Sequence, residues 1–389
     1  MAKETNSKQI TIFGSFSGRN KGDLAILRSM LIQIKQQSRA QLTVYLFTKD
    51  TIKIQQYLQD IITEKTTANR FNIKISRSFT SYIGPKTIPA LAICDKVIIG
   101  GGGLFFDNRL FDISFSHILN IFIITLWLKL FRKDTMIYAV GCSHLDSKLA
   151  RWMTKIILNN AKIVSTRDEL SRRIFSKCTN KKSIVLGGDP VFLLKPKTNS
   201  RADNIIESWP KNRKILLALH KHIFFRKETS ENEKVLKQFS NYINEFAKNN
   251  SYSVLTYTNH TDQRFASRIA ELCEKPVKTM LQGENHLLPE ELIYLFSKID
   301  LVIATQMHVC IFAYLAKVPL LSLIYDDKVM EFNQQIGNKN YLHLTEISNR
   351  QKVEKAIINT ANSKSIPHNP SVYANSKKLA DLLNEFVWS

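Results

Sequence analysis

Short runs of β-branched and aliphatic residues alternate with longer helical segments along almost the whole chain. This alternation limits the possible folds more than any other feature. In the first half, the predicted strands are residues 10–14, 42–47, 97–99, 137–140, 163–165 and 184–186, with helices such as 24–36 and 149–158 between them. Strands separated by helices pair in parallel through right-handed crossovers, so a doubly wound sheet is expected.

The alternation pauses at residues 195–201, a polar, proline-containing stretch typical of a linker. It then resumes with strands at 215–219, 254–257, 301–304 and 320–324 and helices at 231–248, 262–273, 289–297 and 309–316. A chain of 389 residues also exceeds what one core usually organises. We predict an α/β protein with two doubly wound, Rossmann-like domains facing across a cleft: residues 1–195, a linker at 196–202, and residues 203–389 with the terminal helices.

The charge balance favours anionic partners. Lysine and arginine number 55 against 33 aspartates and glutamates, a net charge of 55 − 33 = +22. Such a surface attracts phosphorylated metabolites, nucleic acid or anionic lipid, and the sign does not choose among them. The 5 cysteines have no metal or redox spacing and the first residues contain no apolar signal segment, so a product of the reducing cytosol is expected.

Residues 113–131 are nearly all apolar, which approaches the length of a membrane span. Scattered polar residues interrupt the segment, and a predicted strand follows it at once. A helix between two strands of a buried parallel sheet would have the same composition. We favour that interpretation, and contact of the helix with lipid remains an alternative.

Two glycine-containing loops follow predicted strands. In the first, Asn20, Gly22 and Asp23 lie in a polar turn before a helix that Asp23 is expected to cap. Its free amides could hold an anion or a hydroxyl group, although ordinary turns use the same residues. In the second, residues 100–103 are 4 consecutive glycines, which favour close approach by a ligand or by another backbone segment over a simple turn.

A third segment ends the strand at 301–304 and begins a helix near His308. A histidine at the carboxyl end of a strand could act as an acid or base near neutral pH, although a lone histidine is more often structural. Farther along, Lys328 follows the next strand and could bring a cation to the same edge.

In this order, the motifs resemble the polysaccharide pyruvyl transferase family over residues 10–335. The chain has the family's Asn-x-Gly-Asp-x-Ala-Ile and triple-glycine loops, an Arg-Asp-Glu-x-Ser segment, an Asp-Pro pair, a late histidine at a helix start and a Tyr-Asp-x-Lys segment. The residues that carry them include Asn20, Gly22, Asp23, Gly101, Gly102, Gly103, Gly141, Arg167, Asp168, Glu169, Ser171, Asp189, Pro190, His308, Val318, Pro319, Tyr325, Asp326 and Lys328.

The resemblance implies transfer of the enolpyruvyl group of phosphoenolpyruvate to two hydroxyls of a sugar, which gives a cyclic pyruvate ketal and phosphate. It also implies a two-domain fold similar to the GT-B glycosyltransferases, with no metal and no cofactor beyond the donor substrate. The expected partners are phosphoenolpyruvate and a saccharide or lipid-linked saccharide acceptor. Peripheral contact with the inner face of the cell membrane stays open, and nucleic acid is not expected.

His308 matches the family's catalytic histidine and is the candidate for proton transfer. Arg167 and Lys328 are the candidates for donor binding, because guanidinium makes a two-pronged contact with carboxylate or phosphate and ammonium offers a point charge. The loops with Asn20, Gly22, Asp23 and Gly101 to Gly103 become substrate loops. Two positions depart from the family pattern: Gln306 stands where many members have arginine, and His220-Lys221 stands where arginine is common. Lys221 and Gln306 are therefore the expected substitutes in donor binding, although lysine cannot form the two-pronged contact of a guanidinium group.

The departures leave alternatives open. A glycosyltransferase of the same architecture that uses a nucleotide sugar is the first, and a diverged, inactive binding protein is another. The third is a membrane-surface or nucleic-acid-binding protein held by its charge, whose binding would fall steeply with salt.

Overall fold

The computed structural model describes the chain except for residues 1–6, 19, 39, 64–70, 81, 108–109, 115, 181–182, 221–229, 259–262, 274–277, 282–286, 364–365 and 367. It contains two compact units. Unit 1 is Met1–Leu193 with Ser371–Ser389, and unit 2 is Leu194–Pro370. Each unit is an α/β domain with its own parallel sheet and its own apolar core.

Unit 1 is built on a seven-stranded parallel sheet with the order β3-β2-β1-β4-β5-β6-β7. Its strands are β1 (Lys8–Phe13), β2 (Leu42–Thr48), β3 (Phe71–Arg77), β4 (Lys96–Phe105), β5 (Asp134–Cys142), β6 (Ile163–Thr166) and β7 (Val185–Leu186). Its helices are α1 (Lys21–Gln36), α2 (Thr51–Thr63), α3 (Thr87–Ile93), α4 (His117–Leu130), α5 (Lys148–Asn160) and α6 (Glu169–Cys178), with a short 3-10 helix at Pro190–Leu193.

Unit 2 has a six-stranded parallel sheet with the order β10-β9-β8-β11-β12-β13. The strands are β8 (Arg213–Ala218), β9 (Tyr252–Thr258), β10 (Lys278–Leu281), β11 (Leu301–Ala304), β12 (Leu320–Ile324) and β13 (Tyr341–His343). The helices are α7 (Ser200–Glu207), α8 (Ser230–Asn249), α9 (Gln263–Leu272), α10 (Pro289–Phe296), α11 (Met307–Leu315), α12 (Asp327–Ile336) and α13 (Arg350–Asn362), and a 3-10 turn spans Leu344–Glu346.

The last helix, α14 (Pro370–Trp388), belongs almost entirely to unit 1, whereas the sequence prediction assigned the terminal helices to the second domain. Close packing explains this difference. Ser376 donates its hydroxyl to the carbonyl of Asp189 at 3.0 Å, and the buried Lys96 ammonium donates to the carbonyl of Phe386 at 2.6 Å. The chain therefore returns to its first domain after completing the second.

The prediction of an α/β protein with two doubly wound domains is confirmed: both sheets are parallel, and each reverses its strand order once. The edge strands β3, β10 and β13 were not predicted. The expected linker at 196–202 contains the start of α7, which Asn199 caps by accepting from the Ala202 amide at 2.7 Å. Most of the apolar segment at 113–131 forms α4, which lies between β4 and β5 in the chain, in agreement with the favoured interpretation. Among the described residues, no helix combines the length and apolar character that crossing a bilayer requires.

Candidate functional site

Each sheet has one switch point, where the strand order turns back. In unit 1 it lies between β1 and β4, and in unit 2 between β8 and β11. Open α/β sheets bind ligands outside the carboxyl ends of the strands at this position, because the loops that follow the two central strands diverge there. Functional side chains are therefore expected at the carboxyl ends of β1, β4, β8 and β11.

The loop after β1 places Asn20, Gly22 and Asp23 at the switch point of unit 1. Asn20 is the N-cap of α1, and its side-chain oxygen accepts from the Gly22 amide at 2.9 Å. The prediction that Asp23 caps this helix is wrong. The half-buried Asp23 lies in the first helical turn, where its negative charge interacts favourably with the helix dipole.

The glycine run lies at the carboxyl end of β4 itself and not in a loop after a shorter strand, which corrects the predicted strand end. Gly101 and Gly102 have φ of +79° and +90°. A Cβ on Gly101 would lie 2.2 Å from Cγ2 of Ile26, and one on Gly102 would lie 3.0 Å from Oδ1 of Asp23. The run therefore lets α1 approach the strand closely, and it brings the Asp23 carboxylate against the bare backbone.

Gly103 differs from its neighbours. It is exposed, and a Cβ there would meet nothing within 4 Å. Beyond it the pairing of β4 with β5 shifts register, between Gly103 and Phe105. Of the predicted substrate-loop glycines, Gly103 is therefore the one that faces open space.

Arg167 follows β6 and is buried, with 6% of its surface exposed. Its guanidinium group lies against Gly141, where a Cβ would be 2.8 Å from one of its terminal nitrogens. It pairs with the carboxylates of Asp168 at 3.3 Å and Asp189 at 3.4 Å. Desolvation lowers the pKa of Arg167, but the charges of Asp189, Asp168 and Asp23 outweigh it and the net pKa is raised.

The two carboxylate partners of Arg167 are themselves held in place. Asp168 caps α6 by accepting from the Ser171 amide at 2.7 Å, and Asp189 accepts from the Val191 amide at 3.1 Å. The Ser171 hydroxyl accepts from the Cys142 amide at 2.7 Å, directly after Gly141. This network links the segments that follow β5, β6 and β7 at the carboxyl edge of the sheet.

Sequence reasoning missed a histidine–tyrosine pair on the same edge. The Tyr82 hydroxyl lies 2.8 Å from Nδ1 of His117, the first residue of α4. Burial, aided by Lys49, lowers the pKa of His117 to about 4, and burial, aided by the charge of Asp23, raises that of Tyr82. Near neutral pH both groups are therefore uncharged, and the hydroxyl and Nδ1 share a hydrogen bond. A histidine that opens an otherwise apolar helix was the available signal.

In unit 2, the loop after β11 carries Gln306 and His308. Gln306 is the N-cap residue of α11, and the half-buried His308 lies in its first turn, as predicted. Thr305 fixes the neighbouring loop, because its hydroxyl accepts from the amide of His220, two residues after β8, at 3.0 Å. His308 thus stands at the switch point of unit 2.

Lys328 lies in the first turn of α12, after the adjacent strand β12. Its ammonium group is 2.8 Å from the Asp326 carboxylate and 5.4 Å from the centre of the Tyr325 ring. The Lys328 side chain remains one-third exposed, at 33%. Lys221, the other predicted lysine, lies outside the described residues.

The structure therefore brings the predicted residues together as two groups. Asn20, Gly22, Asp23, Gly101 to Gly103 and Arg167 share the switch-point edge of unit 1, and Gln306, His308 and Lys328 lie at neighbouring strand ends of unit 2. In the part of the chain that is described, no three His, Cys, Asp or Glu side chains are grouped so as to hold a metal ion.

Known proteins resemble the chain in sequence pattern and in fold. The sequence profile of the family described as polysaccharide pyruvyl transferase matches residues 20–327. No curated protein sequence is detectably similar.

Several sugar-modifying enzymes share the fold. UDP-GlcNAc 2-epimerase from Neisseria meningitidis, solved with UDP-GlcNAc, superposes with a TM-score of 0.63 at 14% identity over 97% of this chain and 100% of its own. The Methanocaldococcus jannaschii UDP-GlcNAc 2-epimerase gives 0.65 at 12% identity over 98% and 100%. A spinosyn rhamnosyltransferase gives 0.50 at 6% identity over 97% and 96%. At these identities the likeness establishes the two-domain GT-B-like fold.

Proposed function

The chain belongs to the polysaccharide pyruvyl transferase family, and on that premise we propose that it transfers the enolpyruvyl group of phosphoenolpyruvate to a sugar. The product is a cyclic pyruvate ketal on a polysaccharide or lipid-linked oligosaccharide, with release of phosphate. The observation that carries this proposal is the position of His308, in the first turn of α11 at the switch point of the second sheet.

The reaction needs an acid, a base and cations. Protonation of the enol methylene carbon makes the adjacent carbon electrophilic, and two sugar hydroxyl oxygens bond to that carbon while its bond to the phosphate oxygen breaks. One hydroxyl proton replaces the proton given to the methylene carbon, and the other leaves with phosphate. A group that both gives and takes protons near neutral pH suits these steps, and imidazole is the usual choice.

We assign the donor to the edge of unit 2. His308 performs the proton transfers, and Lys328 offers an ammonium point charge to the phosphate or carboxylate. Gln306 stands where the family arginine is common and supplies only amide hydrogen bonds, so Lys221 is our candidate for the additional positive charge. The amides at the start of α11 favour a nearby anion.

We assign the acceptor to the edge of unit 1. Asn20, Gly22 and Asp23 offer amides and a carboxylate that suit sugar hydroxyls, and exposed Gly103 permits close approach of the ring. Arg167 is already neutralised by two carboxylates, a geometry that favours positioning of Asp168 and Asp189 over direct binding of the donor. No metal or further cofactor enters this scheme. The proposed compartment is the cytoplasm, whose reducing conditions suit the 5 free cysteines.

The test incubates purified protein with phosphoenolpyruvate and a panel of sugars and lipid-linked oligosaccharides. We expect phosphate release that depends on the acceptor, together with a pyruvate ketal on the acceptor detected by mass spectrometry. The loss of the family arginine at Gln306 motivates a parallel panel of nucleotide sugars, each measured by thermal shift. A ligand at a hundred times its dissociation constant stabilises by about 2.7 kcal/mol, which is readily detected.

Stabilisation by a nucleotide sugar without any response to phosphoenolpyruvate would replace the proposal by a glycosyltransferase. Absence of binding to either donor class would indicate a diverged binding protein.

A further inference from the structure

Helix α4 is apolar on both its inner and its outer side. Ile118, Ile121 and Ile124 are buried in the core of unit 1, as the helix position between β4 and β5 requires. On the outer side, Leu126 is 49% exposed and Leu130 is 68% exposed. A helix on the surface of a globular domain normally turns polar residues outward, so this outer stripe is suited to apolar contact.

Helix α5 continues the same surface. Trp152 is 51% exposed, and its ring centre is 5.4 Å from that of Phe122 on α4. We call the surface formed by Phe122, Leu126, Leu130 and Trp152 the α4–α5 face. Tryptophan is favoured where one side of a ring meets apolar groups and the other meets water, as at the boundary of a bilayer.

Basic side chains predominate around the α4–α5 face, with Asp134 and Asp146 as acidic neighbours. Neither α4 nor α5 contains an acidic residue. The exposed basic residues on and beside these helices are Lys129, Arg132, Lys148, Arg151 and Lys155. A two-fold contact with a second copy of the chain would place this cationic rim against itself, which is unfavourable. An anionic partner with an apolar interior matches both the rim and the stripe.

We propose that the α4–α5 face docks peripherally on an anionic lipid surface. Leu126, Leu130 and Trp152 enter the boundary between headgroups and acyl chains, and the lysine and arginine side chains extend to lipid phosphates. With 14 residues, α4 is shorter than the roughly 20 that a transmembrane helix needs. In this proposal the helix therefore lies along the bilayer surface and does not cross it. The inference does not depend on the transferase reaction.

The experiment is co-sedimentation of the full chain with vesicles, and its result does not involve activity. We expect binding to vesicles that contain phosphatidylglycerol, little binding to pure phosphatidylcholine, and a decline with salt because exposed charges are screened. Brominated phosphatidylglycerol should quench tryptophan fluorescence in the native protein, and Trp152→Phe should remove most of that quenching.

Two variants test the two parts of the surface. The pair Leu126→Ser with Leu130→Ser removes the apolar stripe, and Lys129→Glu with Lys155→Glu reverses part of the rim; each should weaken vesicle binding at least about tenfold. The matched controls are Ile52→Ser, at a side chain 72% exposed elsewhere on unit 1, and Lys237→Glu with Lys355→Glu on unit 2. Both controls should bind as the native protein does.

Three results would overturn the proposal: no binding to phosphatidylglycerol vesicles, equal loss in the controls, or a dimer in sedimentation velocity that the Leu126→Ser, Leu130→Ser pair dissolves. The charge-reversal variant changes only exposed side chains, so it remains informative even if loss of the leucines lowers the melting temperature.

Discussion

The switch-point edge of unit 1 is made of bare main chain and buried ion pairs, whereas that of unit 2 presents an imidazole and an ammonium group at helix starts. In unit 1, Arg167 and Asp189 are almost fully buried. In unit 2, His308 and Lys328 are only partly buried. The same topology therefore serves two purposes: one edge holds a fixed shape, and the other offers groups that can exchange protons or bind anions.

The largest expected effect is on His308. If unit 2 carries the proton transfers, His308→Ala should lower kcat by about 10² to 10⁴-fold, the usual contribution of a positioned acid or base. Acceptor-dependent phosphate release measures it. His368→Gln is the control, because that histidine is exposed and lies before α14. If His308→Ala kept half the native rate, the assignment of proton transfer to the edge of unit 2 would be wrong.

The next effect is on the stability of unit 1. Arg167→Ala leaves the Asp189 carboxylate, 4% exposed, without its cation, and should cost about 3–5 kcal/mol of unfolding free energy. Arg172→Ala removes an exposed pair with Glu169 and should cost less than about 1 kcal/mol. Urea unfolding of the two variants compares them. Equal costs would mean that the buried network does not hold this edge.

Substitution of two glycines of β4 should distinguish an effect on stability from an effect on acceptor binding. Gly101→Ala introduces a Cβ 2.2 Å from Ile26 at φ +79°, and it should cost about 3 kcal/mol through strain and overpacking. Gly103→Ala has space for its methyl group and should leave the melting temperature unchanged, but it should raise KM for the acceptor. An unchanged KM would place the acceptor away from Gly103.

The smallest effect concerns His117 and pH. Its pKa is lowered from 6.5 to about 4 in the folded protein, so the unfolded chain binds the extra proton more readily between these values. Stability is therefore full above pH 6.5 and falls as the pH drops toward 4. From pH 7 to pH 5, protonation of this group in the unfolded chain should lower the free energy of unfolding by about 2 kcal/mol. Urea unfolding of His117→Gln at both pH values should show a correspondingly smaller loss than the native chain. An equal loss would contradict the burial of the imidazole.

The sequence predicted long, strongly patterned elements well. The strands β11 and β12 match the predicted bounds, and α1, α5 and α11 lie within three residues of theirs. The strands that were missed, among them β3 and β13, lie at the edges of the sheets or are short. Edge strands carry less of the continuous apolar pattern of a strand buried on both faces, so the signal was weak.

The cap of α1 shows how local chemistry misleads. Asn20 and Asp23 are both good capping residues, three positions apart, and sequence alone favoured Asp23. In the structure, Asn20 takes the cap because the glycines of β4 admit α1 close enough for Asp23 to lie against Gly102. Which of the two side chains caps α1 therefore depends on packing against β4, about eighty residues farther along the chain.

The sequence by itself determined the parallel sheets and the positions of the chemical groups along the chain, because hydrophobic periodicity and strand-to-helix turns are local properties. Only the tertiary structure returned α14 to unit 1, paired His117 with Tyr82 and enclosed Arg167 between two carboxylates. Apart from the Arg167–Asp168 pair, these contacts join residues distant in sequence, and burial and charge pairing decide them only once the sheet has set its strand order.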